Sequence, residues 1–219
     1  MIAGDICTRS CKFCNTQTGR PLPLDPDEPT HVAESIALMK LSHAVITSVD
    51  RDDLPDLGAA HWAQTIREIK RLNPETTTEV LIPDFQGRKE LVDQVIKACP
   101  EIISHNMETV KRISPQVRSA ANYHTSLEVI RQIAESGITA KSGIMVGLGE
   151  TPAEVEELMD DLISVGCKIL TIGQYLQPTH KHFPVAAYIT PEQFAVYKET
   201  GLKKGFEHCL LYTSDAADD

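Results

Sequence analysis

No apolar run in this chain approaches the roughly 20 residues needed to cross a bilayer, so a membrane role has no support in the sequence. A secretory h-region is also missing. Lys and Arg number 21 against 31 Asp and Glu, for a net charge of −10. The clustered cations that neutralise nucleic-acid phosphates are therefore lacking, and a protein or small-molecule substrate is expected instead. Cysteine is sparse too, at six in 219 residues. With 42% hydrophobic and 24% charged residues, the remainder is an ordinary globular composition, long enough for one large core.

The few cysteines are not evenly spread. Cys7-Thr8-Arg9-Ser10-Cys11-Lys12-Phe13-Cys14 places three thiols in one tight loop at the spacing C-x3-C-x2-C. Three thiolates there suit a soft metal centre better than three independent packing positions. With three ligands a cuboidal [4Fe–4S] cluster keeps one iron open to a small molecule, so the loop reads as a catalytic site. A structural zinc site closes with four ligands, typically in pairs, and no second pair lies nearby. His31, in the expected first turn of a helix, is the one candidate for a fourth ligand. Disulfides would leave one thiol of the three over. Cys99, Cys167 and Cys209 are scattered singly and read as structural, small buried hydrophobes.

Short apolar runs alternate with amphipathic segments along the rest of the chain. Ala44-Val45-Ile46-Thr47, Glu79-Val80-Leu81-Ile82, Ile102-Ile103-Ser104-His105, Gly143-Ile144-Met145-Val146 and Ile169-Leu170-Thr171-Ile172 read as strands. Each precedes a helix candidate. Thr151-Pro152-Ala153-Glu154 carries an N-cap, a first-turn proline and a capping-box glutamate, and Thr190-Pro191-Glu192-Gln193 repeats the device. Leu127, Ile130, Ile133 and Ala134 fall at helical spacing before a stop at Gly137. Such βα units imply a parallel sheet covered by helices. Counting Ile2 to Ile6 as the first strand gives about six units, a partial (β/α)6 TIM-like barrel, with a doubly wound open sheet as the alternative. Both architectures build their sites at the strands' C-terminal ends. Those ends carry the cysteine loop, Ser48 to Asp53, Pro83-Asp84, Asn106-Met107-Glu108 and Gln174 to Gln177, with Lys141, Ser142 and Glu150 on or after the fifth strand. Loops are polar anyway, and each of these positions taken alone has that plain explanation.

The cysteine loop, with Phe13 before its last cysteine and a βα barrel behind it, resembles the radical S-adenosylmethionine (radical SAM) superfamily. Thr47 to Asp56, His105-Asn106-Met107-Glu108-Thr109, Lys141-Ser142-Gly143, Gly147-Leu148-Gly149-Glu150 and Gly173-Gln174-Tyr175-Leu176-Gln177-Pro178 are similar to the lipoyl synthase family within it. The likeness runs from residue 1 to about His208. It implies a [4Fe–4S] cluster on Cys7, Cys11 and Cys14, whose open iron chelates S-adenosylmethionine and reduces it to a hydrogen-abstracting radical. The implied substrate is an octanoyl chain on a lysine of a lipoyl-carrier domain, with sulfur inserted at C6 and C8. An electron donor such as ferredoxin or flavodoxin is the second implied partner.

By the same resemblance, Ser48 and Asp50 meet the methionine amino group, and Asn106 and Glu108 the ribose or methionine part. Phe13 flanks adenine, Lys141 and Gln177 join the cofactor pocket, and Gly143 to Glu150 supplies the glycine-containing fifth-strand pattern with Met145 in an aliphatic slot. Glu150 also suits a first-turn helix charge, and Arg51, Asp52 and Asp53 a local ion-pair turn.

The family carries a second, auxiliary [4Fe–4S] cluster on cysteines before the radical SAM loop and a C-terminal Arg-Ser-Ser-Tyr segment. Neither is present here, so the expectation is a fragment: a barrel domain over residues 1–208 and an unrelated or disordered tail over 209–219. Such a chain holds one cluster and S-adenosylmethionine without completing sulfur insertion. An oxygen-labile cluster favours a reducing interior, the cytoplasm, or the mitochondrial matrix or plastid of a eukaryote. Competing readings are another radical SAM enzyme, such as a biotin-forming one, a non-catalytic zinc module on the same loop, and a TIM-barrel aldolase or isomerase using Lys141 as a Schiff-base lysine.

Overall fold

Five of the apolar runs marked as strands are parallel strands of one sheet in the computed structural model, which describes residues 1–212. In chain order the elements are β1 (Ile6–Cys7), β2 (Gln17–Thr18), α1 (Glu28–Met39), β3 (His43–Thr47), α2 (Ala59–Leu72), β4 (Thr77–Leu81), α3 (Lys89–Ile96) and β5 (Ile102–Ser104). There follow the short α4 (Ser114–Val117), α5 (Tyr123–Glu135), β6 (Thr139–Val146), α6 (Pro152–Ser164), β7 (Ile169–Gln174), α7 (Pro191–Lys204) and β8 (His208–Tyr212). The sheet order β3-β4-β5-β6-β7-β8 follows the chain without reversal. A doubly wound sheet needs a reversal at its switch point. Six strands winding one way form a partial (β/α)6 barrel, as expected.

The two-residue period decides which side chains meet the helices and which face the barrel interior. Ala44, Ile46, Val80, Ile103, Ala140, Ile144, Leu170, Ile172 and Cys209 are buried against the helical layer. The opposite parity, Val45, Glu79, Leu81, Ser104, Lys141, Gly143, Met145, Thr171, Gly173 and Tyr212, lines a concave cavity of about 340 Å³. Helix α2 supplies the matching apolar stripe, with Ala59, Trp62, Ala63, Ile66 and Ile69 all at most 2% exposed.

Three expectations are corrected. Residues 2–6 do not form the first barrel strand: Ala3 and Gly4 stand at φ 66° and 95°, outside the extended region. Ile2 makes only an isolated bridge to Ser48, and the short β1 pairs instead with β2 in a separate two-stranded sheet. The sixth sheet strand is β8, which crosses the expected boundary between residues 208 and 209. Cys209 to Tyr212 pair with Leu170 to Gly173, because their backbone groups complete the ladder on the free side of β7. The rest of the expected tail, residues 213–219, lies outside the described residues. Finally, Cys167 and Cys209 are buried, the Cys167 thiol pushed up to about 12 by burial, whereas Cys99 is exposed at φ 57° in the turn that ends α3 and is not a core residue.

The capping box on α6 is formed in both directions. The Glu154 N–H donates to Thr151 Oγ1 at 3.3 Å and the Thr151 N–H to Glu154 Oε2 at 2.8 Å. Thr151→Ala is expected to lower stability by about 1 kcal/mol, read as a shifted urea midpoint at unchanged slope. An unchanged midpoint would mean that α6 is held by its packing alone.

Candidate functional site

The cysteine loop leaves β1 and is fixed by neighbours from distant parts of the chain. The Thr8 N–H and hydroxyl both donate to Asp50 O, at 3.1 and 2.9 Å, tying the loop to the end of β3. The Lys12 N–H donates to Val117 O at 2.8 Å and the Ser10 N–H to Ser119 Oγ at 3.1 Å, tying it to α4. Exposure rises along the loop: Cys7 is buried, Cys11 half-buried and Cys14 exposed. All three thiols nonetheless line one pocket of about 250 Å³ at the mouth of the barrel.

Among the described residues no three Cys, His, Asp or Glu side chains are gathered closely enough to hold a single metal ion. In a cuboidal cluster each thiolate takes its own iron, so the sulfurs stand further apart around a shared space. The donor chemistry also fits. The backbone N–H groups of Arg9 and Asp50 both point at Cys7 Sγ at 3.4 Å, and that of Thr16 at Cys14 Sγ at 3.5 Å. The N–H donors favour a thiolate at Cys7, while burial, the larger effect, raises its thiol above the ordinary value, as suits a sulfur that ionises on binding metal.

Phe13, Ser48, Asp50, Asn106 and Glu108 line the same pocket. Asn106 lies on Gly143: a Cβ there would stand 2.7 Å from Asn106 Oδ1, so glycine is what leaves the amide room. Two other expected residues are elsewhere. Lys141 belongs to the interior cavity, where its Nζ donates to Glu79 Oε1 at 2.8 Å and Ser104 Oγ joins the same oxygen at 3.0 Å. Lys141 is thus tied to Glu79 in the interior cavity and does not line the thiol pocket. Gln177 turns away from the pocket, its Nε2 donating to His182 O at 2.9 Å. Glu150 accepts from the Gly147 and Leu148 N–H groups and so braces its own loop. Arg51 forks onto Asp53 at 2.9 Å through both arms, whereas Asp52 pairs outside the turn.

That outside partner is Arg9, which sequence reasoning left without a role. Its guanidinium, 6% exposed, donates to Asp52 at 2.7 and 2.9 Å and to Asp84 at 2.8 Å, and stands 3.4 Å from Asp50. Burial works against the Arg9 charge, but the bonds to Asp52 and Asp84 outweigh it and raise its pKa. Asp52 and Asp84 are likewise held low by Arg9 despite burial, whereas for Asp50 burial wins and its carboxyl is raised. Arg118 was also missed. It is 8% exposed, lines the pocket, and reaches Met107 O and Asn106 O only at 3.4 Å. Burial raises Glu108 against the pull of Arg118. His105, pushed down to about 4 by burial and then by Arg118, is neutral near pH 7. Since the Ile82 carbonyl can only accept, Nδ1 carries the His105 proton and Nε2 accepts from the Ser126 hydroxyl.

Comparison with known proteins adds the following. The family description of the Radical SAM superfamily matches residues 1–162. A lipoyl synthase of Bacteroides fragilis (strain YCH46) is 99% identical over 207 residues, covering 94% of this chain and 72% of that protein. A lipoyl synthase of Phocaeicola vulgatus is 82% identical over 206 residues, with the same coverage of 94% and 72%. Among solved structures, SuiB of Streptococcus suis bound to S-adenosylmethionine superposes with a TM-score of 0.75 at 11% identity, covering 97% of this chain and 49% of that one. Methylornithine synthase gives 0.74 at 10% identity, covering 99% and 72%. At such low identity the two structures speak for the fold alone.

Proposed function

The chain belongs to the lipoyl synthase family of the radical SAM superfamily, enzymes that work with a [4Fe–4S] cluster and S-adenosylmethionine, and we propose that its barrel binds an octanoyl chain carried on a protein lysine and positions it for hydrogen abstraction at C6 and C8. One observation carries the reading: the thiol-lined pocket and the interior cavity share Asn106 and Glu108 as a common wall. A cofactor in the first and a substrate in the second would be neighbours.

In this reading Cys7, Cys11 and Cys14 would hold the cluster, with S-adenosylmethionine beside it in the same pocket. When bound, the cluster and S-adenosylmethionine supply the one-electron chemistry that abstracts hydrogen from unactivated carbon. Ser48 and Asp50 orient the methionine amino group, Asn106 and Glu108 hold the ribose side, and Phe13 flanks adenine. Arg118, whose N–H groups meet only distant carbonyls, is the cation for the methionine carboxylate. Arg9 is saturated by three carboxylates and acts by holding the β3 and β4 ends together. The apolar walls Val45, Leu81 and Met145 exclude water from the acyl chain, and the Lys141–Glu79 pair forms a polar floor beneath it.

The partners are then an octanoylated lipoyl-carrier domain and a low-potential electron donor such as ferredoxin or flavodoxin. A reducing bacterial cytoplasm suits such a cluster. Among the described residues no helix is long and apolar enough to cross a membrane.

The test is an anaerobic incubation of the reconstituted chain with S-adenosylmethionine, dithionite and a peptide bearing perdeuterated octanoyl-lysine. Deuterium is expected in the 5′-deoxyadenosine released. Cleavage of S-adenosylmethionine without deuterium transfer would reject the octanoyl substrate while leaving the cofactor site standing.

A further inference from the structure

We infer that His182 is a positioning residue for the cluster loop, holding the backbone of Cys14 through a strap that follows β7. The strap is built from the Gln-Pro-Thr-His-Lys-His-Phe stretch, residues 177–183, for which the pocket itself has no use. It returns over the cysteine loop and makes two backbone contacts with it. The Phe183 N–H donates to Lys12 O at 2.8 Å, and His182 Nε2 lies 3.0 Å from Cys14 O.

The chemistry of these atoms fixes the ring. A carbonyl oxygen only accepts, so His182 Nε2 carries the proton; the other ring nitrogen, Nδ1, stands 2.8 Å from Thr179 Oγ1 and in the neutral ring accepts from that hydroxyl. The strap is anchored as well. Tyr175, 1% exposed, donates its hydroxyl to Phe183 O at 2.7 Å, Gln177 Nε2 donates to His182 O at 2.9 Å, and the His182 N–H donates to Thr179 O at 3.0 Å. Gln177 thus serves the cysteine loop at one remove.

The three thiols do not need this help equally. Cys7 is buried and gripped by two N–H groups, and Cys11 sits beside Ser119. Cys14 is exposed, and its sulfur meets only Thr16, two residues away. Its link to the rest of the barrel is the bond from His182, 168 residues along the chain. A thiolate whose backbone drifts loses its aim at the iron, and loss of an outer partner of a metal ligand typically weakens metal binding about 10- to 100-fold.

The inference rests on the cysteine loop being the cluster site, so one readout is taken without metal. In the full, metal-free chain, hydrogen–deuterium exchange over Cys11 to Thr16 is expected to quicken about three- to tenfold in His182→Ala, the range of one hydrogen bond, with the helical core unchanged. After reconstitution, iron loss to a chelator should quicken about tenfold in the same variant. His182→Gln, which keeps a side-chain N–H, should recover both. Thr179→Ala, which frees the ring's orientation and the Lys181 N–H but keeps the bond to Cys14, should move both in the same direction by less, and serves if His182→Ala does not fold. Unchanged exchange in both His182→Ala and Thr179→Ala would overturn the inference. So would faster exchange throughout the barrel, or failure of the glutamine to rescue. If exchange responds as expected while no variant takes up iron, the strap stands and the cluster assignment falls.

Discussion

Replacing Arg9 with alanine is expected to cost about 3–5 kcal/mol of stability, the penalty for removing one partner from a buried ion set. The reason is local. Arg9 joins the cysteine loop to the β3 end through Asp50 and Asp52 and to the β4 end through Asp84, and Asp84 is 3% exposed. Without the guanidinium three carboxylates face one another with little water between them. Arg9→Lys keeps the charge but not the fork that spans Asp52 and Asp84, and should lose about 1.5–3 kcal/mol, the worth of one charge-assisted hydrogen bond. Urea unfolding of the metal-free chains, followed by circular dichroism, gives both values. A loss under about 1 kcal/mol for the alanine variant, the level of an exposed pair, would mean that the carboxylates find other partners and that Arg9 is not the clasp of the site.

Stability is also expected to fall by on the order of 3 kcal/mol between pH 6.5 and about 4 on account of one side chain, His105. Above the ordinary histidine value the ring is neutral folded and unfolded, and it contributes no pH dependence. Below that value the unfolded chain takes up a proton, while the folded ring, buried and near Arg118, refuses one until about pH 4, although its bond to the Ile82 carbonyl pulls the other way. The stabilisation is thus complete above pH 6.5 and lost as pH falls towards 4. Asp52 and Asp84, held below the usual carboxylate range, lose theirs in a lower window. Urea midpoints of the parent and of His105→Gln at pH 7, 6 and 5 separate the terms: the parent should decline more steeply. Equal slopes would show that His105 is protonated in the fold.

Periodicity made most of the barrel legible, because each buried strand reads as an apolar run and each helix brought its own caps. It misled at residues 2–6, where Ile2 and Ile6 flank a backbone turn at Ala3 that no apolar pattern records. Pocket residues close to strand ends, such as Ser48, Asp50, Asn106 and Glu108, could be placed by position alone. Lys141 could not. It lies five residues before the end of β6 and pairs in register with Ser104, so the strand's own rise sets it deep in the barrel beside Glu79. Arg9 and Arg118 escaped for another reason: Asp84 is 75 residues from Arg9, and only folding brings the two together. The signal that existed was an arginine inside the cysteine loop and an aspartate at the third strand end, each unexplained by its neighbours.

Iron and acid-labile sulfide content, with electron paramagnetic resonance of the dithionite-reduced, anaerobically reconstituted chain before and after adding S-adenosylmethionine, tests the central assignment most directly. The cysteine loop should hold about four irons as one cuboidal cluster, and its spectrum should change when S-adenosylmethionine is added. Zinc in place of iron, or an iron signal indifferent to S-adenosylmethionine, would contradict it.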